Sequence, residues 1–224
     1  MAFRSSEPRR MKLHRHGRFR SWLGSKFGGD AILGGRIGRR FLHAGGALTL
    51  VYYAFPTDLL IIVPNWAIPA FALAALLILD GMRLARRLDV PEIRSHERDR
   101  LASYSYFGIA IVVALLFFPE PIAFVAILGT ALVDPLIGEL RGSSTRSGLY
   151  PVVPFVVYFT LATVSLAVVG HASLLAASLL AAAAGAVAIA VEHPTWAYVD
   201  DDLLMTLVPG LVLTGLALAL PGLI

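Results

Sequence analysis

Seven long apolar runs divide this chain, and they limit its possible folds more than any other feature. They cover about residues 41–55, 60–82, 104–118, 122–139, 150–169, 173–191 and 203–222. A run of about 20 apolar residues can cross the ~30 Å hydrocarbon core of a bilayer as an α-helix. Within lipid, only helices and closed barrels satisfy every backbone polar group. Composition agrees: 57% of the 224 residues are apolar and 15% carry charge, against roughly 45–50% and about 25% in soluble domains. The expected fold class is all-α, a polytopic integral membrane helical bundle with about seven transmembrane helices. There is no cysteine, which excludes disulfide frameworks, thiolate metal sites and cysteine nucleophiles.

The charges between the runs give an orientation. Of the 19 Lys and Arg residues, eleven fall between Arg4 and Arg40, six between Arg83 and Arg100, and the last two are Arg141 and Arg146. A cytoplasmic N-terminus puts segments 85–102, 140–149 and 192–202 inside, and Thr57-Asp58, Pro119-Glu120-Pro121 and Gly170-His171 outside. Every basic residue is then cytoplasmic, as the positive-inside rule requires, and the C-terminus is outside. The first run is short and reaches spanning length only if its helix begins near Ile37, with Arg39 and Arg40 at the interface. Pro64 predicts a kink in the second run or an offset start near Trp66. Residues 1–36 are rich in Arg, Gly and Ser and lack the apolar core of a cleavable signal. They read as a disordered basic tail drawn to anionic lipid headgroups rather than to nucleic acid. Residues 37–224 form the transmembrane domain.

The acids carry the functional reading. In this topology only Asp58 and Glu120 face out, while Asp80, Asp134, Glu139, Glu192 and the run Asp200-Asp201-Asp202 lie within apolar runs or at their inner ends. Ionisable groups at such depth are costly and usually functional. Asp134 precedes Pro135 and shares its helix with Gly138, so local unwinding is expected there. It reads either as a divalent-metal ligand, with the oxygen donor Mg²⁺ prefers when bridging nucleotide phosphates, or as one half of an interhelical ion pair with an Arg. Capping accounts for one acid of the Asp200–Asp202 triplet. The triplet also offers a second carboxylate source for metal, or a base for an alcohol, with Asp201 the favoured base.

Arg39 or Arg40 shares a helical face with His43, an arrangement that presents cations and an imidazole donor to a phosphate or else anchors the helix at the interface. Asp80 and Arg83, three residues apart, are expected to form an intrahelical ion pair. Arg94, Glu97, Arg98 and Arg100 read as a solvated charge run. The loop from Arg141 to Gly148 joins glycines, hydroxyls and two Arg into a phosphate cradle without Walker-type spacing.

Taken in order, these motifs resemble a family. Gly38-Arg39-Arg40-Phe41-Leu42-His43-Ala44-Gly45-Gly46, Leu79-Asp80-Gly81-Met82-Arg83-Leu84, Asp134-Pro135-Leu136-Ile137-Gly138 and Val199-Asp200-Asp201-Asp202-Leu203 are similar to successive elements of archaeal-type dolichol kinases. These belong with the CTP-dependent polyprenol (phytol) kinases in the phosphatidate cytidylyltransferase-like superfamily. The resemblance covers about residues 37–215. Asp202 stands where that family has a late Asn, and Val133 where a Gly commonly precedes the central Asp. The resemblance implies transfer of the γ-phosphate of CTP to the hydroxyl of a long isoprenoid alcohol held in the bilayer, at the cytoplasmic face. Phosphoryl transfer of that kind needs charge neutralisation and alignment. Mg²⁺ on Asp134 and the Asp200, Asp201, Asp202 cluster would supply it, with Arg39, Arg40, His43 and Arg141 on the nucleotide and Asp201 taking the alcohol proton. The alternatives are a CTP-dependent cytidylyltransferase acting on a lipid phosphate, or a non-catalytic membrane or transport protein. Against transport stands the one-sided placement of the polar residues.

Overall fold

The computed structural model describes residues 43–55, 64–86, 97, 99–141, 146–192, 199–220 and 222. All regular structure among them is helical. A leading segment, helical over 43–47, tightens into the 3-10 helix Leu48–Ala54. Six α-helices follow: α1 (Ala67–Arg86), α2 (Ser103–Phe117), α3 (Glu120–Arg141), α4 (Val152–Val168), α5 (Leu174–Glu192) and α6 (Asp201–Ala219). The tail 1–36, Arg39 and Arg40 lie outside the described residues.

Each helix except α1 begins and ends within three residues of the apolar run that predicts it. Helix α1 takes the offset start: Pro64 accepts the first turn bond from the Ala67 amide at 2.9 Å, and the helix begins just after Trp66. Four helices, α1, α3, α5 and α6, are long and apolar enough to cross a membrane. Helices α2 and α4 have 15 and 17 residues, or about 22 and 26 Å at 1.5 Å per residue.

Helix α3 departs from expectation. It runs unbroken through Pro135, although unwinding was expected at that point. A proline removes one amide donor, but Val133 and Ile137 on either side are fully buried, and their packing holds the helix in register.

The core is built on α3. Its residues Ile122, Val125, Ile127 and Val133 are buried, α3 packs on α4 and α6, and α5 contributes the small-residue stripe Ala177, Ala181, Ala184 and Ala188. Without a hydrophobic force between helices in lipid, such stripes favour association by letting backbones come close. Gly129 of α3 shows how close: a Cβ there would stand 2.3 Å from the ring of the buried Tyr158 on α4. Helix α2 lies against α6 and α3, and α1 packs on α2. The outer surface is apolar as well, with Phe71, Ile78, Leu175 and Leu218 more than half exposed. Apolar faces both inside and outside suit a helical bundle whose solvent is lipid.

Candidate functional site

Polar contacts gather at one end of the bundle. There the C-terminal ends of α1, α3 and α5 meet the N-terminal ends of α2 and α6, as the pairs Asp80–Ser105, Arg141–Glu192 and Ser103–Asp200 show. The leading segment adds His43 to the same end. It is the end that the charge pattern predicts to be cytoplasmic.

Three side chains from distant parts of the chain converge here. His43 Nε2 lies 2.9 Å from Asp202 Oδ1 and 3.4 Å from Asp134 Oδ2. One ligand atom from each of the three lies within 4.8 Å of the others, the spread of a group able to hold a metal ion. His43 and Asp202 are buried and Asp134 is 15% exposed. The imidazole is stacked on Phe107 of α2, with ring centroids 4.9 Å apart and planes 14° from parallel. Gly46, one turn after His43, permits this stack, because a Cβ there would stand 2.5 Å from the Phe107 ring.

The acidic triplet divides its duties. Asp200 caps α6: its Oδ1 accepts from the Asp202 amide at 3.1 Å, and its Oδ2 accepts from Ser103 Oγ at 2.6 Å. Burial raises the Asp200 carboxyl above the usual carboxylate range, against the lowering effect of the Ser103 bond. Both oxygens of Asp200 are therefore engaged by protein donors. Asp202 points to His43, and Thr206 one turn on donates to the Asp202 carbonyl at 2.8 Å and shares a hydrogen bond with Thr130, Oγ1 to Oγ1, at 2.9 Å. That pair ties α6 to α3 directly beneath the site. Asp201 is half-buried, and one of its carboxylate oxygens lies within 4.8 Å of a ligand atom of Asp200 and of Asp202.

Beside this group stands Arg141, which the sequence predicts to contact nucleotide. It donates to Glu192 Oε1 at 2.6 Å and to Tyr150 Oη at 2.7 Å, and Tyr150 donates to Glu192 Oε2 at 3.1 Å. The Arg141 side chain keeps 38% of its surface exposed while its guanidinium is held by Glu192. Asp134 and Asp201 are near enough for their charges to act on Glu192, which places the Arg141 pair next to the triad. Of the predicted phosphate cradle, residues 142–145 lie outside the described residues.

Asp80 behaves otherwise. It is fully buried and accepts four bonds: from Arg83 Nε and Tyr104 Oη on Oδ1, and from Ser105 Oγ and the Ala102 amide on Oδ2. The predicted ion pair is present, and Arg83 extends it by donating to the carbonyls of Glu97 and Arg100 at 3.2 and 2.6 Å. Glu97, read from sequence as part of a solvated run, is buried instead. The Arg83 bond to its carbonyl and a 3.4 Å contact with Ser103 Oγ draw it inward. Arg94 and Arg98 lie outside the described residues. Ser103, Tyr104 and Ser105 escaped the sequence reading, although three polar residues opening an otherwise apolar run are a visible signal.

Asp134 and Asp202 fit a divalent cation: two carboxylates are the usual protein share for Mg²⁺, which keeps its other positions for water and phosphate oxygens. No protein-family model matches the chain, and no curated protein or solved structure matches it.

Proposed function

We propose that this chain is a CTP-dependent kinase of a long-chain isoprenoid alcohol. In this reading it crosses the membrane about seven times, with its N-terminus and its site in the cytoplasm. The observation that carries the proposal is the meeting of Asp134, Asp202 and His43 at one bundle end, with Arg141 alongside. The order of motifs along the chain, which resembles that of the polyprenol kinases, supplies the reaction class.

The roles follow from what phosphoryl transfer requires, which is alignment and neutralisation of charge rather than covalent help. Asp134 and Asp202 would hold Mg²⁺, which when bound offsets the negative charge of the phosphates. Arg141, partly exposed, is a cation available to a nucleotide, with Arg39 and Arg40 as its partners in the proposal. Asp201 receives the proton of the lipid hydroxyl. Asp200 is a capping residue that fixes where Asp201 and Asp202 begin. The apolar outer surface keeps the tail of the alcohol in lipid while its hydroxyl reaches the polar end.

The test uses purified protein, Mg²⁺, a panel of isoprenoid alcohols with diacylglycerol as control, and CTP or ATP labelled at one phosphate. Label from the γ-position of CTP should appear in an isoprenoid phosphate, and label from the α-position should not. Entry of α-label into lipid, with pyrophosphate released, would assign the chain to cytidylyl transfer instead.

A further inference from the structure

We propose that His43 Nε2 is itself a ligand of the cation held by Asp134 and Asp202, and that the site therefore prefers an imidazole-tolerant divalent ion such as Mn²⁺ to Mg²⁺. The inference rests on the kinase reading only for the choice of the two carboxylates as metal ligands.

Geometry gives the first argument. The Nε2–oxygen separations of 2.9 and 3.4 Å bracket the spacing of neighbouring ligands on a six-coordinate ion, about 3 Å for ligand bonds near 2.1 Å. A single nitrogen faces two carboxylates, and one N–H can serve only one of them well. A dication lying between the three atoms serves both carboxylates, with the ring carrying its hydrogen on Nδ1.

Support of the ring gives the second. The stack on Phe107 and the close approach allowed by Gly46 hold the imidazole plane on the carboxylate side. Such preorganisation is what a ligand needs and a loosely placed phosphate donor does not. The donor type then sets the preference, since Mg²⁺ takes oxygen ligands while imidazole nitrogen suits transition-metal ions.

The experiment reads the metal rather than turnover. Tag-free protein in detergent is titrated with Mn²⁺ and followed by electron paramagnetic resonance, with Mg²⁺ as competitor, and nitrogen coupling to bound Mn²⁺ is measured by spin-echo modulation. Expected are one tightly bound Mn²⁺ per chain, a ¹⁴N coupling that becomes ¹⁵N when histidine is labelled, and displacement only by Mg²⁺ in excess over Mn²⁺. His43→Ala should abolish the coupling and the preference between the two ions, whereas Asp134→Asn should weaken both ions alike. The isotope exchange needs no substitution, so it decides the matter even if a variant fails to fold. Bound Mn²⁺ without nitrogen coupling, equal affinity for Mg²⁺, or no bound Mn²⁺ overturns the proposal. Transfer of γ-label without nitrogen coupling would sink this inference and keep the kinase. Nitrogen coupling without any transfer would uphold the site and sink the kinase.

Discussion

Two acids in apolar helices, the buried Asp80 and the partly buried Asp134, show how much a residue's neighbours decide its role. Asp80 has four protein donors and a guanidinium, so its charge is fully spent on tying α1 to the start of α2. Asp80→Ala should leave Arg83 buried without its partner, a loss of about 3–5 kcal/mol. It should appear as a lowered melting temperature in detergent, with turnover per folded molecule much less affected. Asp134 instead shares a histidine with a second carboxylate. Asp134→Asn should abolish turnover at saturating Mg²⁺ with the melting temperature and membrane insertion kept, while Glu120→Gln, at the far end of α3, should be near neutral. Near-normal turnover by Asp134→Asn would remove it from the metal site. Both acids were legible in the sequence because a carboxylate in an apolar run is conspicuous. Their different fates were not, because the partners of Asp134 come from 91 positions before it and 68 after it in the numbering, and no local pattern encodes such pairings. The same holds for Arg141 and Glu192, whose pairing links the ends of α3 and α5.

At the scale of elements, hydropathy located the six described α-helices because an apolar run in lipid has one way to satisfy its backbone. What hydropathy did not show was which helix faces tolerate bulk. Gly129 and Gly138 lie nine residues apart on α3, yet a Cβ on Gly129 would collide with Tyr158, and one on Gly138 would meet no described residue within 4 Å. Gly129→Val should therefore destabilise the bundle by about 1–3 kcal/mol through overpacking, and Gly138→Ala should change stability little. Thermal unfolding of the two variants side by side checks the contrast. Equal effects would mean that the α3–α4 contact is looser than the structure has it. The tight 3-10 form of Leu48–Ala54 was also invisible in sequence, since an apolar run of that length fits either helix type.

Across the whole molecule, the polar contacts of five helix ends and the leading segment collect at a single end, and the described basic residues, Arg83, Arg86, Arg100, Arg141 and Arg146, belong to that end by chain position. Under the proposed topology, a reporter inserted at Ser144 should read as cytoplasmic and one fused after Ile224 as external. Finding both on one side would break the odd number of crossings. One-sidedness of this kind was readable from the spacing of charges alone, because it depends on alternation along the chain and not on which helix touches which.

The shortness of α2 has a mechanical consequence for the membrane. A helix of about 22 Å cannot match a hydrocarbon slab of ~30 Å. Its first residue, Ser103, is bonded to Asp200 at the polar end, so under the proposed seven-crossing topology the lipid around that end would thin, or water would dimple inward to meet it. Such hydrophobic mismatch costs a fraction of a kcal/mol per Å. A host bilayer of short-chain lipids relieves that cost and a long-chain one increases it, so under the proposed kinase function bilayer thickness would control how readily a membrane-bound hydroxyl and a dissolved nucleotide arrive at the same depth.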